Sequence, residues 1–141
     1  MDNLKKQIAA EEENINIALD NLKKVMKVKR RTVIELVAMG AFLSNIYNGI
    51  ENILKQILIA KGKRISNTSN WHKNLIKFSV EFGIISEELS AKLYDYLGFR
   101  HFFIHGYSFN LNWGRMKSLV KDINELWLEL KNCISEFTEK I

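Results

Sequence analysis

"TVIELVAMGAFLSNIYNGIENILKQILIAKG", Thr32 to Gly62, is the stretch whose periodicity decides the fold. It opens on Thr32-Val33-Ile34-Glu35, which fits a capping box: the threonine hydroxyl and the glutamate three residues on satisfy each other's orphan backbone donors. Behind the box, Ile34, Val37, Ala41, Ile46, Ile50, Ile53, Ile57 and Leu58 recur nearly always at steps of three, four or seven, the spacing of one apolar helix face. Thr32 to Ile50 is also the most apolar window in the chain. Glu35, Ser44, Asn45 and Asn48 interrupt it, which suits a buried helix better than a membrane span. The reading is one long helix, closed by Gly62, in a chain that does not enter a membrane.

Working outward, Leu4, Ile8, Ile15, Leu19, Leu22 and Met26 predict a helix over about Asp2 to Lys29, with Glu11 to Glu13 mostly on its other side. Downstream, Gly62 to Asn70 (GKRISNTSN) has the small polar residues of a loop and no periodicity. A short helix follows from about Trp71 to Phe82, ended by Gly83 as a left-handed cap. Ser86, with Glu87 and Glu88 in the first turn, starts a fourth helix. Asn112 caps the last, whose broad stripe is Met116, Leu119, Val120, Ile123, Leu126, Trp127, Leu130, Ile134 and Phe137.

A chain of 141 residues that is 47% apolar can bury one core, and residues 1–141 are read as a single domain. It contains no proline, so nothing forces long helices to break. The expected fold is therefore all-α, an up-and-down bundle of about five helices. The N-terminus runs into Glu11-Glu12-Glu13 without an apolar secretory core, so a cytoplasmic protein is expected. The single cysteine, Cys133, can form no internal disulfide and reads as a small buried hydrophobe.

The formal charge of +5 is compatible with a nucleic-acid partner. It is clustered in Lys23 to Arg31 and in Lys61-Gly62-Lys63-Arg64, both at predicted helix ends. There cations complement the helix dipole, and phosphate contact is the alternative use.

The fourth helix ends in "FRHFFIHGYSFN", Phe99 to Asn110. Its core phase runs Leu89, Leu93, Leu97, then Arg100, then Phe103 and Ile104, so an arginine falls in line with leucines. A guanidinium cannot shed its proton, and such a position is costly unless an anion or a hydrogen-bond network meets it. No acid stands one turn away on that stripe, and Gly98 leaves room for a close approach. Gly106 supplies the helix cap and sets His105 in the last turn, where an imidazole can take and give protons. Arginine to hold a phosphate and histidine to move protons are a sufficient kit for metal-free RNA cleavage, with the ribose 2′-hydroxyl as nucleophile.

Five residues advance an ideal α-helix by about 500°, leaving Arg100 and His105 roughly 140° apart. A two-fold axis near this turn would gather two copies of each residue in one cleft. Surplus apolar residues on this helix (Leu93, Tyr94, Tyr96, Leu97, Phe99, Phe102, Phe103, Ile104) also point to a homodimer. His101 and His105 have the spacing of two metal ligands on one face. The zinc pattern wants a glutamate after the first histidine, however, and Phe102 stands there, so neither metal nor other cofactor is expected. The plainer alternative makes both histidines cap and interface residues.

Arg100-His101-Phe102-Phe103-Ile104-His105 resembles the signature of HEPN-domain ribonucleases, and Gly106-Tyr107 extends it to the Arg-x4-His-x-Tyr form of HepT-type toxins. The helical order is similar too. The resemblance implies a dimeric, metal-independent endoribonuclease in which Arg100 stabilises the scissile phosphate, His105 is the general acid or base and His101 helps in positioning. It implies that Tyr107 is the tyrosine to which a partner antitoxin, an MNT-type minimal nucleotidyltransferase, adds AMP to silence the toxin. Tyr47 and Glu51, in "YNGIENIL", resemble a segment common in these proteins, with Glu51 orienting the arginine. "NWHKNL", Asn70 to Leu75, is similar to a segment before the third helix, with no role attached to His72. Some HEPN proteins are non-catalytic modules that bind RNA, a nucleotide or a nucleotidyltransferase partner, which is the alternative function.

Overall fold

The computed structural model describes residues 2–66, 68–107 and 110–141, and the side chains of all of these but Asp2 and Tyr107. Five helices follow in order: α1 (Asp2–Met26), α2 (Val33–Ala60), α3 (Trp71–Glu81), α4 (Glu87–Phe102) and α5 (Trp113–Glu139), with a wide turn, Phe103–Tyr107, after α4. No strand occurs among the described residues. The all-helical bundle expected from the periodicity is the fold observed.

Helix α2 lies at the centre and packs against the other four helices. Its box forms as predicted in kind, with the Thr32 N–H and hydroxyl both donating to the Glu35 carboxylate. Those bonds hold the carboxyl below its usual pKa, with the Arg30 charge adding to them. The phase of the apolar stripe differs from the expectation at its start. Ile34 is 75% exposed and Val37 and Ala41 are half-buried, while the buried line runs from Leu36 through Met39, Leu43, Ile46, Ile50, Ile53, Ile57 and Leu58. A helix with neighbours on most sides buries more than one stripe, so Glu35, Ser44 and Glu51 are buried as well. By length and composition α2 would pass for a membrane span. Here its apolar sides meet α1, α3, α4 and α5.

Two glycines let neighbours approach α2. A Cβ on Gly49 would lie 2.5 Å from Ile15 Cγ1, and one on Gly40 would lie 2.5 Å from Phe103 Cε1. The first brings α1 close. The second seats the turn after α4, and with it the end of the helix that carries Arg100.

Helix α1 stops at Met26, short of the expected Lys29. Beyond it the Arg31 guanidinium donates to the carbonyls of Met26 and Val28 and lies 4.7 Å from the centre of the Trp113 ring. At least this member of the basic run closes a helix end. Helices α2 and α3 end on Gly62 and Gly83, both at positive φ, where the next N–H bonds back five residues: Lys63 to the Leu58 carbonyl and Ile84 to the Ser79 carbonyl, each 2.9 Å. The Ser86 hydroxyl accepts the Leu89 N–H, and the Asn112 amide oxygen accepts that of Arg115, starting α4 and α5.

The α5 stripe faces the core, with Leu119 and Phe137 only partly buried. Trp127 is enclosed, and its indole N–H donates to Asn16 on α1 at 3.2 Å. Cys133 is half-buried rather than buried, and desolvation raises its thiol pKa.

Candidate functional site

Along α4 the leucines at 89, 93 and 97 are buried, as is Tyr96, whose hydroxyl donates to the Leu119 carbonyl at 2.7 Å. The next position in that phase is Arg100, half-buried. Its Nε is shielded from water and has no hydrogen-bond partner, and no carboxylate among the described residues is within ion-pair distance. Asp95 faces the grooves against α5. A buried donor left open costs roughly 1–3 kcal/mol, so the position is strained in a way that a water or a bound acceptor would relieve.

Past Arg100 the helix widens. His105 leaves helical geometry (φ −88°, ψ 20°) and Gly106 takes φ 86°, a left-handed conformation that L side chains resist. The glycine cap predicted at Gly106 is therefore present. Ile104, in this wide turn, is exposed to solvent, although continuous helical phase had put it toward the core. Tyr94 is also exposed, whereas Phe99, Phe102 and Phe103 are half-buried.

The exposed imidazoles of His101 and His105 come together, their ring centres 4.1 Å apart and tilted by 56°. Among the described residues no hydrogen bond joins Arg100 to His105, and no group of three or more His, Cys, Asp and Glu is placed to hold a metal ion. The Tyr107 side chain lies outside the described residues.

Glu51 does not pair with the arginine. Its carboxylate, 5% exposed as a residue, meets His72 Nδ1 at 2.7 Å. Glu51 reaches Arg100 only indirectly, through Tyr47, one turn back on α2. The Tyr47 hydroxyl is buried and makes no well-formed hydrogen bond. Burial drives its pKa far above the usual phenol value, the nearby Glu51 charge adds to this, and the Arg100 charge opposes it. Tyr47 is thus a neutral phenol that feels both a carboxylate and a guanidinium. Ser44, a turn earlier, leaves a second buried oxygen without a partner.

His72 is the residue that sequence reading passed over. The signal was on α2: Glu51 shares a face with Tyr47, Leu54 and Leu58, and a carboxylate buried there demands a partner. Beside the pair, between the start of α3 and α4, a cleft of about 440 Å³ is lined by Asn70, His72, Lys73, Tyr94, Gly98 and His101, with Ser69 and Leu97.

Chemically, the end of α4 offers a fixed cation with an open donor and two imidazoles at the surface. That set can grip an anion and transfer protons without a nucleophile of its own.

A family described as HepT-like protein matches residues 38–141, a span that takes in most of α2 and everything after it. No curated protein and no solved structure matches the chain.

Proposed function

Since the chain belongs to the HepT-like protein family, we propose that it is the toxin of a HEPN/MNT toxin–antitoxin pair, an endoribonuclease that cuts RNA without metal. The observation that carries this reading is Arg100, half-buried with an open Nε donor and followed in the chain by His101, whose exposed ring meets that of His105. The arginine holds the scissile phosphate and offsets the charge that builds up as the 2′-hydroxyl attacks. His105 passes the proton, taking it from the hydroxyl or giving it to the departing 5′-oxygen, and His101 positions it. DNA lacks the attacking group and is spared.

One chain does not join Arg100 to His105. A homodimer would bring a second copy of each to the same cleft, and exposed Ile104 next to His105 gives that interface an apolar contact. The proposed setting is the cytoplasm, with no membrane contact and no cofactor. Tyr107 is the off-switch: its hydroxyl attacks the α-phosphorus of ATP on an MNT-type nucleotidyltransferase partner, pyrophosphate leaves, and AMP remains on the tyrosine. Intact-mass measurement after co-expression should show the added AMP, and Tyr107→Phe should remove it.

The direct test is incubation of purified protein with labelled RNA in excess EDTA. Cleavage that disappears in His105→Ala is expected, and RNA left whole, or cut equally by the variant, sinks the reading. The lack of an Arg100–His105 bond within the chain favours one alternative, a non-catalytic HEPN module that binds RNA, a nucleotide or a nucleotidyltransferase. Calorimetric binding without turnover would select it.

A further inference from the structure

The Glu51–His72 pair has no place in the chemistry above, yet it is the most deliberately held imidazole in the molecule. A buried carboxylate costs free energy unless it is matched, and the match falls on a histidine whose side chain keeps 25% of its surface open. With Nδ1 taken by Glu51, Nε2 is the ring nitrogen left for a ligand. His72 lines the cleft between α3 and α4, and His101, next to Arg100 in the chain, lines it too.

The remaining walls have complementary chemistry. Tyr94 is 40% exposed as a residue, and its hydroxyl reaches the Lys73 carbonyl at 3.5 Å across the cleft. Lys73 brings positive charge, while Asn70 and Ser69 bring donors and acceptors. Gly98 is open: a Cβ there would meet nothing within 4 Å. At about 440 Å³ the cleft falls within the roughly 300–1,000 Å³ of small-molecule sites.

We propose that this cleft, walled on one side by His101, the residue after Arg100, is a nucleotide subsite for single-stranded RNA in which His72, oriented by Glu51, hydrogen-bonds the nucleotide and Tyr94 packs against its base. The proposal rests on the ribonuclease reading only for the strand's onward path to Arg100. Binding in the cleft does not need cleavage. Aromatic and cationic groups side by side suit a base and its phosphate, and stacking on a ring tolerates any base, so the subsite grips the strand without reading its sequence.

The probe is a short 2′-O-methyl oligonucleotide, which the proposed chemistry cannot cut, titrated into the full-length protein. Gly98→Leu fills the cleft from an open helical position where the fold has room for it. It is expected to keep the wild-type Tm and to weaken binding by about tenfold or more, the loss of one stacked base. His72→Gln should weaken binding as well, and the imidazole nitrogen signals of His72 should shift when the probe binds wild type. A wild type that does not bind the probe, a Gly98→Leu protein that binds as well as wild type, or His72 signals unmoved by bound probe each overturn the subsite. If RNA is not cleaved but these binding effects appear, the ribonuclease reading fails and the subsite stands. If RNA is cleaved and Gly98→Leu binds normally, the reverse holds.

Discussion

At the end of α4, His101 and His105 stand exposed, ring against ring, whereas at the start of α3 His72 is held at 2.7 Å by a carboxylate that water barely reaches. The first pair comes with a helix end that breaks at His105 and Gly106. The second is locked to α2, the central helix of the bundle. An imidazole in the open is free to meet a second protomer or a substrate at little cost to folding. An imidazole that is the partner of a buried carboxylate belongs to the fold and to the site together, so its loss should register in both.

That contrast is broken most readily at the open end. Arg100→Ala and His105→Ala should each lower RNA cleavage by about 10²–10³-fold, the usual scale for losing a phosphate clamp or a proton-transfer group, with His105→Ala leaving Tm nearly unchanged. A large fall in the Tm of His105→Ala would contradict its assignment as a group outside the fold's support. Replacing Glu51 by Ala should do the opposite, destabilising the protein by roughly 1–3 kcal/mol in urea unfolding as His72 and Tyr47 lose their neighbour. An unchanged midpoint would mean that the buried pair contributes nothing.

A comparable cost in stability is expected where the turn after α4 seats on α2. Gly40→Ala pushes a Cβ into the Phe103 ring and should cost about 1–3 kcal/mol unless the ring yields, disturbing the turn that carries His105. Cleavage should then fall more than stability alone explains, read as activity at a temperature where the variant is fully folded. The smallest change lies away from both regions. The Glu35 carboxyl is held below its usual pKa, so its share of stability is present above the ordinary glutamate value of about 4.3 and is lost as pH falls through the lowered one. Thr32→Ala should slightly lower Tm near neutrality and flatten the acid side of the Tm–pH curve, and an unaltered acid limb would count against the box.

How much of this was legible depends on distance along the chain. The α5 stripe and the caps at Ser86, Gly83, Gly106 and Asn112 follow from residues within two turns of each other, and all were readable. Arg100 drew notice because a charge interrupted a run of leucines, which is also local. The α2 phase was misjudged at Ile34 because a central helix buries several faces, and a one-stripe template has no means of choosing among them. Glu51 and His72 are 21 residues apart across a loop with no periodicity, so only the fold brings them together. The resemblance already named Tyr47 and Glu51 together with Arg100, but that Glu51 turns to His72 and not to the arginine depends on how α3 and α4 settle on α2.

The central claim is that the end of α4 drives a ribose 2′-hydroxyl onto the adjacent phosphate. The most direct measurement compares one RNA with its fully 2′-O-methylated counterpart in excess EDTA and examines the ends produced. The account predicts that the RNA alone is cut and that its fragments carry 2′,3′-cyclic phosphates. Cutting of the methylated strand, or no cutting of either, would contradict it.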